Sequence, residues 1–274
     1  MITFVLMQAE AQDKEMSFLD HLEVLRWHLV RSSIAIVIGA VAAFSYKSFV
    51  FDSIILAMRK SDFWTYRLFC KFSHLIGKGD DLCFNDINFD LININMSGQF
   101  TTHIIVSIIA GIIIAFPYIL FELWRFIKPG LKPSETKYAK RLVASGSLLF
   151  IIGILFGYYF IAPLSVQFLG NYQVSELVKN QISLNSFIST VTTITLSTGL
   201  VFQLPLIVYF LSKLGLITPE FMKKYRRHAV VVVLIVAAIL TPPDVSSQIL
   251  LAIPLMILYE FSIYVSKLVV KNHR

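Results

Sequence analysis

Charge is scarce in this chain: only 15% of its 274 residues are Asp, Glu, Lys or Arg, while 56% are hydrophobic and the mean hydropathy is +0.72. A soluble domain carries about 25% charged residues, so a water-exposed globule is excluded and the chain belongs in a bilayer. It also lacks an HExxH, a GxSxG, a P-loop and paired acids within an apolar run, so neither enzymatic chemistry nor a cofactor or metal is expected. There is no internal repeat, and the apolar runs do not divide into two similar triplets, which counts against a transporter built from repeated halves. A small secondary transporter or channel is the alternative that composition alone leaves open. The opening MITFVLM has no basic flank and no small-residue cleavage site, so a removable signal peptide is not expected.

What the chain does have is a series of long apolar runs, at about 29–50, 100–123, 142–163 and 187–212, then two shorter ones at about 228–240 and 248–268, split by Thr241-Pro242-Pro243-Asp244. A hydrocarbon core of ~30 Å takes roughly 20 helical residues, so six transmembrane helices are expected. The fifth is too short to cross a full bilayer without thinning it or stopping early. Strict alternation is missing, which argues against a membrane barrel, and the chain reads as all-α, a single membrane domain over 1–274. Most of the 24 lysines and arginines fall in the segment 1–28, the loops 124–141 and 213–227, and the tail. The positive-inside rule then puts both termini in the cytoplasm and the loops 51–98 and 164–186 outside. The net charge of +7 reflects this topology and anionic lipid headgroups rather than nucleic acid. Both cysteines, Cys70 and Cys83, lie in the long outside loop; a disulfide and two reduced thiols are both compatible with the spacing.

From Phe116 to Arg141 the chain reads FPYILFELWRFIKPGLKPSETKYAKR. Trp124, Phe126, Pro129, Gly130, Pro133 and Glu135 stand there among several basic residues, a composition suited to binding rather than to a simple return of the chain. Glu135 could accept a guanidinium fork, or it could stabilise the first turn of the third helix after Pro133. Gln203 precedes Pro205 by two residues and suits an interhelical hydrogen bond where proline removes a backbone donor. Asp244 can cap the sixth helix. Glu260 is read as the only carboxylate well inside a span, a functional candidate by default, with Lys267 two turns on as a possible neutralising partner.

Three segments together, SFLDHLEVLRWHL at 17–29, FELWRFIKPGLKPSE at 121–135 and LTPPDVSSQILLAIPLMILYE at 240–260, resemble the TatC family, the multispanning receptor subunit of the twin-arginine protein translocase. The resemblance implies a concave, glove-like bundle of six helices with short fifth and sixth helices, in the bacterial cytoplasmic (inner) membrane. It implies a receptor that binds twin-arginine signal peptides of folded precursors, self-associates, and assembles with single-span TatA and TatB type subunits, driven by the proton-motive force. On that resemblance Glu135 and Phe126 become signal-peptide contacts, with Leu131 of the same loop. Gln203, Thr241 and Gln248 become contacts to partner subunits, with Asp244, Glu260 and Pro117 as further functional candidates.

The chain departs from the family in two places. The usual His-Leu, any residue, Glu-Leu-Arg becomes His21-Leu22-Glu23-Val24-Leu25-Arg26, so the acid comes one place early and is turned by about 100°. Asp20 shares the face of Val24, and Asp20 and Glu23 together are expected to supply the missing negative potential; the plainer alternative is an amphipathic lead-in to the first helix. The second departure is Ile54-Ile55-Leu56-Ala57-Met58-Arg59, where the family commonly has a proline. We predict that Asp20→Asn combined with Glu23→Gln lowers export of a twin-arginine reporter; export at the wild-type rate would exclude a role for this acid pair.

Overall fold

The computed structural model describes residues 18–60, 62–75, 89–128, 139–175, 180–241 and 245–273. Helix α1 (Phe18–Ser45) leads into a wide π-helical turn at Phe49–Ile55 and a tight 3-10 turn at Leu56–Arg59. With no proline between 54 and 59, nothing removes a backbone donor, and the chain keeps coiling where a break is common. Next come α2 (Trp64–Leu75), the short strand β1 (Asp90–Ile92) and α3 (Gly98–Ile127). The chain continues through α4 (Ala139–Phe156), a π turn at Gly157–Ile161, α5 (Ala162–Asn171), β2 (Gln181–Ser183), α6 (Leu184–Val201) and α7 (Leu204–Lys213). Helices α8 (Pro219–Lys224), α9 (Arg226–Leu240) and α10 (Val245–His273) complete it.

Among the described residues, five helical stretches are long and apolar enough to cross a membrane: Leu22–Ser45, Gly98–Ile127, Lys140–Asn171, Leu184–Lys213 and Ser247–Val270. The pass expected at about 228–240 is α9, whose 15 residues span about 22 Å at ~1.5 Å per residue. Outward faces are apolar: Leu29, Val37, Ile38 and Val41 of α1, like Val231, Val232, Ile235 and Ile239 of α9, are each more than half exposed. Such faces suit lipid and not water.

Two expectations are corrected. The sixth helix, expected to be short, is α10 and runs for 29 residues. The fold is mostly helical, as expected, with one small parallel ladder that sets Asp90 opposite Gln181, Leu91 opposite Ile182 and Ile92 opposite Ser183. Each loop segment alone would leave its backbone groups unpaired; together they satisfy one another. The loop placed at 164–186 shrinks to 172–183, since helix runs on to Asn171 and restarts at Leu184. Pro163 does not stop it, because it falls in the first turn of α5, directly after the wide turn at Gly157–Ile161, where a missing N–H is tolerated.

Local signals set several boundaries. The Ser183 hydroxyl accepts from the Ser186 N–H and caps α6, while Thr218 accepts from the Phe221 N–H and caps α8 with Pro219 behind it. Gly215, at φ 74°, ends α7: its N–H donates to Ser212 O at 3.1 Å and that of Leu216 to Leu211 O at 2.9 Å, the paired bonds of a glycine C-cap.

Helix α1 packs along α3, and glycine makes the seam close. A Cβ on Gly111 would lie 2.6 Å from Ile36 O and 2.7 Å from Ala40 N, and one on Gly39 would lie 3.1 Å from Gly111 Cα. Beside that seam lies the main core, in which Ile161, Ala237, Leu251 and Leu255 are 0% exposed, while Phe150 stacks on Phe116 of α3 in a smaller cluster of its own. At the end that holds β1 and β2, which we call the far end, the Phe63 ring sits 5.8 Å from those of both Tyr158 and Tyr159, and Tyr158 donates to Ile54 O at 2.7 Å. Thr65 donates to Tyr159 O there, Arg59 pairs with Asp90 at 3.2 Å, and Tyr66 donates to Met58 O at 3.0 Å. Burial pushes the Tyr66 phenol up, keeping it a neutral donor. Cys70 is disulfide-bonded; Cys83, the other cysteine of the chain, lies outside the described residues.

The glycine seam yields a direct test. Alanine is the better helix former by about 1 kcal/mol, yet Gly111→Ala should lower the unfolding temperature in detergent, since overpacking costs about 1–3 kcal/mol. A raised or unchanged midpoint would mean that α1 does not approach α3 this closely.

Candidate functional site

At the end opposite the β ladder, the near end, α1 begins and α3 ends. The stripe of α3 that meets α1 passes from Gly111 through Ala115 to Glu122, all buried. Residues eleven apart on a helix return to the same face after three turns, within about 20°, so Glu122 inherits the orientation of Gly111. On α1 the same spacing relates Gly39 to His28, and the antiparallel seam therefore delivers His28 to Glu122.

There His28 Nδ1 binds Glu122 Oε2, and the Tyr118 hydroxyl donates to Oε1 at 2.8 Å. Glu122 is 2% exposed and His28 8%, and both carboxylate oxygens have a donor. A buried carboxylate needs this, because an isolated one costs several kcal/mol to remove from water. Arg31 and Arg125 add positive potential to the cluster. One turn beyond Glu122, the ring of Phe126 meets that of His28 edge to face, with centroids 6.1 Å apart and planes at 69°. Trp124, buried on the other side of α3, packs against Phe210 at 5.5 Å.

The sequence-derived candidates fall unevenly around this cluster. Phe126 belongs to it directly. Glu23 is exposed on α1, five residues before His28 and so about 7.5 Å along the axis. Asp20 lies in the first turn of α1, of which only the backbone is described. Glu135, Leu131 and Asp244 lie outside the described residues. Pro117 is inside α3, five residues ahead of Glu122.

The partner-contact candidates sit elsewhere. Gln203 is buried at the break between α6 and α7; its Nε2 donates to Gly146 O at 3.1 Å, and its Oε1 has no partner among the described residues. Thr241 donates to Ala237 O at 2.9 Å and Gln248 to Leu234 O at 3.2 Å, both within the α9 to α10 corner.

Glu260 requires correction. Its side chain is 41% exposed and pairs with Arg226 at 2.5 Å, rather than with Lys267. The deeply buried carboxylate is Glu122. In the sequence Glu122 stands at the margin of an apolar run that reads as ending at 123, and His28 in the segment before the first span, so neither is conspicuous there. The signal was present in the matched eleven-residue spacings from Gly39 to His28 and from Gly111 to Glu122.

The apolar outer faces, five membrane-length helices and a buried histidine–carboxylate pair between two of them define a polytopic α-helical integral membrane protein. Residues 20–254 match the family model of the Sec-independent protein translocase protein TatC. The chain is 40% identical over 262 residues to the Sec-independent protein translocase protein TatC of Blattabacterium sp. subsp. Periplaneta americana (strain BPLAN), covering 95% of this chain and 98% of that one. It is 32% identical over 260 residues to the TatC of Aquifex aeolicus (strain VF5), covering 94% and 98%. A crystal structure of the twin arginine translocase receptor TatC superposes with a TM-score of 0.69 and 33% identity over 91% of this chain and 99% of that one. The chain belongs to the TatC family, a family of protein-translocase components.

The pair gives a stability prediction. Glu122→Ala strands the His28 imidazole inside the seam and should cost about 3 kcal/mol or more, measured as thermal unfolding in detergent. Adding His28→Leu should recover part of the loss, because no orphaned polar group then remains; strictly additive losses would show that the two side chains are not coupled.

Proposed function

We propose that this chain is the receptor subunit of a twin-arginine translocase in the bacterial cytoplasmic membrane, with six passes and both termini on the cytoplasmic side. In this reading it binds twin-arginine signal peptides of folded precursors at its near end, and then nucleates assembly with TatA and TatB type single-span subunits in a transport cycle driven by the proton-motive force. The observation that carries the reading is the match, over nine-tenths of the chain, to a solved twin arginine translocase receptor. The near end supplies suitable chemistry. Two adjacent guanidinium groups call for fixed carboxylates and an aromatic or apolar wall, and Phe126 stands at the end of α3 with Glu23 on the exposed face of the adjoining helix. Glu135 is assigned as the principal acceptor, with Leu131 beside it and Asp20 assisting Glu23.

Gln203, Thr241 and Gln248 are assigned to partner-subunit contact. Support for Gln203 comes from its buried Oε1, an acceptor with no donor among the described residues, which suits a polar group on an incoming transmembrane helix. Thr241 and Gln248 mark the corner between α9 and α10, where such a helix meets hydrogen-bonding side chains close to lipid.

Site-specific photocrosslinking from Phe126 and Glu135 to a radiolabelled twin-arginine precursor in membranes tests the reading. Crosslinks should form with the native precursor and vanish when both arginines are changed to lysine. Equal crosslinking of the two precursors, or none from either position, would reject the receptor assignment.

A further inference from the structure

We propose that the His28–Glu122 clasp is a positioning device: it holds the head of α1 at a fixed place relative to Phe126, and so makes peptide binding depend on the paired arginines rather than on positive charge alone. This rests on the signal-peptide reading above and adds two positioning residues to it.

The argument starts from the mechanics of the α1–α3 seam. Among the described residues α3 is the one helix that packs along α1, and at the Gly39–Gly111 crossing backbone lies against backbone with no room for a Cβ on Gly111. A glycine crossing is a pivot, since it has no side chains to interlock. His28 lies eleven residues from it, about 16.5 Å along the axis, so a rotation of α1 by about 10° would carry His28 roughly 3 Å sideways. Glu23 lies further out on the same lever. Bidentate recognition of a guanidinium tolerates displacements of only about 0.5 Å, so the pivot alone does not hold the acids of α1 in register with Phe126.

The clasp removes that freedom. Glu122 accepts from His28 on one oxygen and from Tyr118 on the other, so its position is fixed from both helices. At 2% exposure it is out of reach of a peptide guanidinium. Its effect passes instead through His28, whose ring is packed edge to face against Phe126 at 6.1 Å, and through α1 to Glu23. An apolar contact at the same place could slide along the seam; a directional bond from His28 to a carboxylate that Tyr118 holds in place on α3 cannot.

The test compares two double variants of the full-length protein in lipid nanodiscs. In His28→Gln with Glu122→Gln, a neutral amide pair keeps a directional bond across the seam. In His28→Leu with Glu122→Met, the bond is replaced by apolar packing that orphans no polar group in the pair. Binding is measured for a synthetic twin-arginine signal peptide and for its lysine-pair counterpart, and the readout is the affinity ratio. The amide pair should keep the wild-type ratio to within about twofold, while the apolar pair should lower it about tenfold with the lysine peptide bound as well as before. An unchanged ratio in the apolar variant, or an equal loss for both peptides, overturns the proposal. Should the apolar variant not accumulate, Glu122→Asp, whose carboxylate is withdrawn by one methylene, takes its place with the same expected loss and the same overturning result. A wild-type protein that fails to prefer the arginine peptide would instead sink the receptor reading itself, so the two failures are separable.

Discussion

A carboxylate within a membrane-length helix has to be satisfied by the protein, because hydrocarbon offers it nothing. Glu122 is that carboxylate, and much of the first half of the molecule follows from it. Donors must reach both of its oxygens, so α1 and α3 must run side by side with His28 level with it. They can do so only if nothing bulky stands between them, and the glycines at 39 and 111 leave a seam where backbone touches backbone. The demand of one side chain thus fixes the spacing, the crossing and the relative height of two helices.

The two ends of the protein are held by different physics. The near end of the seam relies on a few directional polar contacts, and the C-terminal helices are tied in the same manner: Ser212 donates to Ser266 at 2.7 Å, Tyr259 to Met222 O at 2.8 Å, and Arg226 pairs with Glu260. At the far end, a ring cluster and a short parallel ladder pack against the main hydrophobic core, with a bonded cysteine nearby in α2. The near side is specified by individual bonds, which suits the peptide-reading surface proposed for it.

Most of the architecture could be read from the sequence. Hydropathy located the five long passes and the short α9, with ends off by up to about eight residues, because burial in lipid makes the signal redundant over twenty positions. A helix that continues through an irregular turn is not legible: the wide turn at Gly157–Ile161 leaves no compositional mark, so the second outside loop reads as starting at 164 although helix runs on to Asn171. The β1–β2 pairing was not legible either, since two three-residue strands ninety residues apart carry no local periodicity. At the near end, Phe126 emerged from motif resemblance. His28 and Glu122 did not, because each looks like an edge residue of its own span, and only the matched spacing on two helices shows that they meet.

The parallel ladder also has a temporal meaning. Asp90 pairs with Gln181, so the first strand has left the ribosome about 90 residues before its partner exists. At a synthesis rate of about 5–20 residues per second, the wait lasts roughly 5–18 s. Throughout it two further spans, α3 and α4 with α5, must be threaded through the bilayer, and the edge of β1 has nothing of its own chain to bind. Contacts with such large sequence separation close late. The far-end ladder therefore closes only after α3 and the α4–α5 span have both been made, and its closure joins segments on either side of those two spans.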